Sequence, residues 1–153
     1  MMENPTWDDI DNGCQKIILE LRRLPSRYFD AVIGILRGGI VPAVILSHKL
    51  RIPYVYGLGL RYYDEKKPGE NVRVYQGLPS LRNSFVFLVD DVCDSGRTMK
   101  FAAEFVEKTT GIAPVTASLH LKPSSIFNPT FHVWETSGWI TYPWEVDGLR
   151  IQE

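Results

Sequence analysis

A chain of 153 residues with 17 basic and 18 acidic side chains carries a formal net charge of −1. That length suits one domain with a real core, and the charge gives no bulk attraction to a polyanion such as nucleic acid. Two cysteines, Cys14 and Cys93, are too few for a disulfide framework and lack metal-ligand spacing, no apolar run approaches the ~20 residues that span a bilayer, and residues 1–11 are acidic rather than leader-like. The expectation is a cytoplasmic protein with no integral membrane association and no nucleic-acid partner; neither repeats nor low-complexity tracts are present.

Thr6 stands as an N-cap before Trp7, Asp8 and Asp9, and Ile10, Cys14, Ile17, Ile18, Leu21 and Leu24 recur at helical spacing up to Pro25. Trp7 and Cys14 are expected to face the core. Ala31–Leu36 predicts a buried strand and Ile40–Leu50 the helix after it. Arg37, Gly38 and Gly39 lie between them, so the backbone can turn tightly and offer N–H groups to an anion. The same glycines equally suit a tight βα turn with an exposed arginine.

Ile52–Tyr62 predicts a second strand, with Pro53 at its start. Gly57 and Gly59 fall inside that strand pattern and lack the third glycine of a dinucleotide loop. Tyr63–Asn71, reading YDEKKPGEN, is by composition a solvated hairpin, and Val72–Tyr75 a returning strand.

The most informative stretch is Leu81–Lys100. An apolar run, Phe85–Val89, has the composition of a buried parallel strand and ends at Asp90 and Asp91. Met99–Lys108 then has helical spacing, with Phe101, Phe105 and Val106 on its apolar face before Gly111. Ligands of open α/β sheets bind outside the carboxyl ends of the strands, where these acids fall. Asp94, Ser95, Gly96, Arg97 and Thr98 add a third acid, two hydroxyls, a cation and a glycine at a helix start, a combination suited to a phosphate and richer than a helix cap needs.

Val89-Asp90-Asp91-Val92-Cys93-Asp94-Ser95-Gly96-Arg97-Thr98 resembles the signature of the type I phosphoribosyltransferases, which bind phosphoribosyl pyrophosphate (PRPP). The resemblance implies an α/β fold with a mostly parallel central sheet flanked by helices and a small C-terminal hood, mainly 123–153. It implies that Asp90 and Asp91 engage the ribose hydroxyls and Mg²⁺, that Asp94 is the general acid or base, and that Asp94 to Thr98 hold the 5′-phosphate. Arg37, Gly38 and Gly39 match the loop that binds pyrophosphate, where a strained or cis Leu36-Arg37 peptide is a family feature. The polar stretch at about 63–73 becomes a mobile lid, although Tyr62-Tyr63 stands where the family often has Ser-Tyr.

Pro114–Leu121 predicts a strand and Phe131–Glu135 a shorter one. If the first runs parallel to its neighbours, Lys122 emerges on the same edge as the three acids. A lysine there resembles that of the 6-oxopurine enzymes, where it donates to the oxygen at C6. Trp139-Ile140-Thr141-Tyr142-Pro143-Trp144-Glu145 resembles the hood of bacterial xanthine-guanine phosphoribosyltransferases. That match puts Trp139 on the purine face and the backbone of Ile140 at its edge, leaves Pro143 and Trp144 to shape the hood, and implies a homo-oligomer, dimer or tetramer. His48, His120 and His132 lack metal-pair spacing and are expected to be structural. The implied activity is transfer of ribose 5-phosphate from PRPP to N9 of guanine, xanthine or hypoxanthine; a transferase for adenine or a pyrimidine and a non-catalytic PRPP-sensing regulator are the alternatives.

Overall fold

The computed structural model describes residues 3–25, 28–62 and 72–145. The chain runs α1 (Trp7–Leu21), β1 (Ala31–Leu36), α2 (Ile40–Leu50), β2 (Val55–Tyr62), β3 (Val72–Gln76), β4 (Val86–Cys93), α3 (Arg97–Thr110), β5 (Val115–Leu121) and β6 (Phe131–Glu135). The strands form one sheet in the order β3-β2-β1-β4-β5-β6. Every pairing is parallel except that of β2 with β3.

Alternation along the strands divides the core in two. Val32, Phe87 and Val89 pack on one side with Ile10, Cys14 and Ile17 of α1 and Leu46 of α2. Ile33, Ile35, Val86 and Leu88 pack on the other with Met99, Ala102 and Val106 of α3. Thr6 caps α1 as expected: its hydroxyl accepts from Asp9 N, and the Asp9 carboxylate accepts from Thr6 N.

Four expectations need correction. The apolar run ends at Val89, but β4 continues to Cys93, because the backbone ladder to β5 pairs Asp90 with Ser118 and Val92 with His120 whatever the side chains. β2 begins at Val55, since Ile52 N still bonds to Ser47 O in the turn that closes α2. Trp7 is 54% exposed at the start of α1, touching Trp144 with ring centroids 5.8 Å apart, while Cys14 is buried as expected. α3 spans Arg97–Thr110, more than Met99–Lys108; Val106 is buried and Phe105 packs against the core as expected, but Met99 and Ala102 complete that face and Phe101, stacked on Phe105, lies outside it.

The strand order reverses beside β1: the chain leaves it for β2 on one side and returns to β4 on the other. Such a switch point opens a crevice at the carboxyl ends of the two central strands. Here those ends carry residues 37–39 and 90–98.

Candidate active site

α1 has a side-chain cap, but α2 and α3 do not. Gly39 and Gly96 stand at their N-caps with no side-chain hydrogen bond to the first turn, although Arg97 N makes a long 3.4 Å bond to Ser95 Oγ. At α2 the N–H groups of Gly39, Ile40 and Val41 donate to Ile35 O, Arg37 O and Gly38 O and Pro42 has none, so that start offers an anion chiefly its helix dipole, whereas the start of α3 also leaves the N–H groups of Thr98 and Met99. Among the described residues Ser95 Oγ is engaged only by that long bond, and Thr98 Oγ1 makes no capping bond. Gly96 has φ +80°, and a Cβ there would meet Ser125 Oγ at 2.4 Å and Phe127 N at 2.6 Å. Ile126 N bonds to Ser95 O at 2.9 Å, so the 122–128 segment buttresses the turn from behind.

Asp90 and Asp91 line a cleft of about 220 Å³ together with residues 92–96, Thr98 and Met99. Their exposures are 8% and 9%. Asp90 Oδ1 accepts from Asp91 N at 2.9 Å, and Asp91 Oδ1 from Val92 N at 2.7 Å. Burial pushes the Asp90 carboxyl well above the ordinary carboxylate range, and the charge of Asp91 adds to the effect. Asp91 is raised too, again chiefly by burial, with the Val92 N–H pulling the other way. Among the described residues neither carboxylate has a lysine or arginine in ion-pair contact.

The Arg37-Gly38-Gly39 loop adjoins this pair. A Cβ on Gly38 would lie 1.7 Å from Asp91 Oδ2, and one on Gly39 would meet Val89 O at 2.6 Å and Asp90 Cα at 2.9 Å. Glycine at these two positions is therefore required by the acids and their strand as much as by the turn. The Leu36–Arg37 peptide is cis, and the Arg37 side chain is exposed.

Asp94 sits exposed at the mouth of the cleft. β5 is parallel to β4, and Lys122 N donates to Cys93 O at 3.0 Å, so Lys122 does emerge on the edge that bears the acids. Its ammonium donates to Gly138 O, which leaves two of its three protons for another acceptor. Trp139 is 84% exposed, whereas Ile140 is 7% exposed with its side chain in the core, so only its backbone is available to a ligand.

Three contacts lie beyond the sequence reading. The Tyr62 hydroxyl is 3.1 Å from Thr98 Oγ1 and joins the end of β2 to the α3 turn. Glu3 O accepts from Thr141 N, and the Glu3 carboxylate from Thr136 Oγ1, tying the residue before α1 to the segment after β6. Tyr142 and His120 bond to one another beneath Asp91. Each joins residues distant in the chain, so no local pattern signals it. His120 is wholly buried, and His132 pairs with Glu135. The lid expected at about 63–73 falls mostly outside the described residues, as does the end of the hood from 146. Both cysteines are buried thiols, and burial pushes Cys14 up to about 12, far from a nucleophile's range.

The sequence and fold have relatives. A phosphoribosyl transferase domain matches residues 6–152. The xanthine-guanine phosphoribosyltransferase of Idiomarina loihiensis is 28% identical over 144 residues, covering 92% of this chain and 85% of its own. That of Cereibacter sphaeroides is 30% identical over 147 residues with the same two shares. Among solved structures, the purine phosphoribosyltransferase of Pyrococcus horikoshii superposes with a TM-score of 0.83 at 30% identity, over 98% of this chain and 97% of that one. A Neisseria gonorrhoeae protein with bound ppGpp gives 0.79 at 30% identity, over 99% and 93%. With the acid pair, the glycine loop and the anion-ready start of α3 gathered at one switch point, this chain belongs to the phosphoribosyl transferase family.

Proposed function

We propose that the protein transfers ribose 5-phosphate from PRPP to N9 of a 6-oxopurine and releases pyrophosphate. The observation that carries this reading is the packing of Gly38 against the Asp91 carboxylate, which puts a candidate pyrophosphate loop and a candidate ribose site in direct contact. PRPP carries its pyrophosphate on C1 and the ribose hydroxyls on the neighbouring C2 and C3, so one molecule reaches both.

In this assignment Asp94 to Thr98 take the 5′-phosphate on the uncapped start of α3, and Arg37, Gly38 and Gly39 take the pyrophosphate in the turn before α2, with the Arg37 charge and the helix dipole facing it. The carboxylates of Asp90 and Asp91 hold the ribose hydroxyls. The carbon losing pyrophosphate develops oxocarbenium character, and the nearby carboxylates stabilise that positive charge electrostatically. Asp94 takes or relays the proton of the incoming purine. Lys122 offers an N–H to the C6 oxygen, favouring an oxo over an amino group, and Trp139 presents a flat face to the ring.

A divalent metal fits the donor set. Two buried carboxylates without a cationic partner among the described residues carry a cost that a cation relieves, and a hard ion such as Mg²⁺ is held by one or two carboxylates plus water and substrate oxygens. Asp90 and Asp91 would hold it, and it would supply neutralisation of the pyrophosphate charge.

The Neisseria gonorrhoeae neighbour carries ppGpp, a guanine nucleotide with two pyrophosphate groups. We extend that ligand to this chain as a competitor for the same purine and pyrophosphate subsites. The deciding experiment measures pyrophosphate release in Mg²⁺ and PRPP with guanine, xanthine, hypoxanthine and adenine in turn, then repeats the best base with ppGpp added. Activity with adenine alone would refute the 6-oxopurine assignment. Tight ppGpp binding with no turnover on any base would make the protein a nucleotide sensor.

A further inference from the structure

Tyr142 is 3% exposed, with its ring stacked on Trp144 at 4.6 Å and meeting His120 edge-on at 5.5 Å. Its hydroxyl lies 2.9 Å from Asp91 O and 2.9 Å from His120 Nδ1. A carbonyl can only accept, so the single hydroxyl proton goes to Asp91, and toward His120 the same oxygen can only accept. That fixes a proton on His120 Nδ1. The donors therefore run in one direction, from His120 Nδ1–H through the Tyr142 hydroxyl to the Asp91 carbonyl. His120 is itself wholly buried, opposite Val92 in the ladder, with its ring 4.9 Å from Trp134.

A phenylalanine would fill the space under Asp91 as well as Tyr142 does, so packing does not explain the hydroxyl. What the hydroxyl adds is a buried, directional bond between the hood and the strand that bears the acid pair. A tyrosine ring has only two side-chain torsions, and here its far end is held by two bonds, so it acts as a short strut. We infer that Tyr142 is a positioning residue: it sets the spacing between residues 139–140 and the backbone of Asp91, and His120 keeps its hydroxyl aimed. Resting on the proposed purine and PRPP assignments, this makes the strut the gauge between the incoming base and the sugar carbon it attacks.

The test is Tyr142→Phe, which keeps the ring and its stack on Trp144. The KM for the base is expected to rise about fivefold or more, the factor that one net hydrogen bond carries, while the KM for PRPP changes less than about twofold. Amide hydrogen exchange is expected to quicken at residues 138–142 and stay slow in β1 and β4. His120→Phe should reproduce both effects, and His120→Asn, which keeps an N–H donor, should fall between it and wild type, so the inference stands on two sites should one variant fold poorly. Unchanged exchange in the hood, or equal rises in both KM values, would overturn it. If the wild-type protein uses no purine at all, the functional reading fails, and the exchange data still decide whether the strut exists.

Discussion

Gly38→Ala is the sharpest perturbation the site offers. The added methyl would sit 1.7 Å from Asp91 Oδ2 and 2.5 Å from its Cγ, whereas Cβ contacts essentially never fall below 3.0 Å. The difference, roughly 1.3 Å, must be absorbed by movement, and the carboxylate is the softer partner. A displacement of that size at a catalytic group costs about 10²-fold in rate, or about 2.7 kcal/mol of barrier. Swinging the carboxylate away also strains its 2.7 Å bond to Val92 N, a bond to a charged group worth about 1.5–3 kcal/mol. Because Asp91 lines an open cleft, part of that loss is offset by water, and melting should fall by only a few degrees. Gly39→Ala is the control, since its methyl would meet backbone atoms, Val89 O at 2.6 Å and Ile35 O at 2.7 Å, which cannot rotate aside. It should lose far more stability. Initial rates of pyrophosphate release, paired with melting followed by circular dichroism, separate the two. A Gly38→Ala protein with kcat/KM within about twofold of wild type would refute the claim that this glycine exists to admit the acid.

Other substitutions have separate signatures. Asp94→Asn should slow turnover by about 10²–10⁴ if Asp94 handles the purine proton; a wild-type rate removes it from that role. Trp139→Ala should raise the KM for the base about 5- to 150-fold with little change in melting, since the side chain is 84% exposed; an unchanged KM denies the stacking role. Asp90→Asn should abolish activity yet raise the melting temperature of the metal-free protein at pH 8. The folded-state pKa of Asp90 lies above 3.8, so its buried charge destabilises the fold above that raised pKa, and the penalty fades as pH falls toward 3.8. The melting curves of variant and wild type should therefore converge in acid, and Mg²⁺ at pH 8 should stabilise wild type more than the variant. A variant less stable than wild type at pH 8 would contradict this.

What the sequence displays and what it conceals divide along one line. Asp90, Asp91 and the 94–98 turn are legible because a strand, a turn and a helix start are local, and their residue types are unusual together. The alternation of strands and helices gives the parallel sheet and its carboxyl edge, where Lys122 emerges once β5 is parallel, whereas the point at which the strand order reverses appears only in the fold. Strand ends are poorly legible because hydrophobicity marks burial of side chains, whereas the ladder through Asp90 to Cys93 is held by backbone groups. Trp7 misleads for a related reason: aromatic character signals a core, but the first residue of a helix can overhang it. Contacts across the chain, such as Tyr142 with Asp91 51 residues earlier, leave no trace in either neighbourhood.

The missing side-chain cap of α3 carries a consequence for how the molecule is handled in the laboratory. The first N–H groups of α3 gain partners when a visiting anion settles on them, so cargo and scaffold support one another while the complex lasts. Sulfate or phosphate in a buffer will then masquerade as intrinsic robustness, and a melting curve taken in an anion-poor medium becomes a gauge of occupancy.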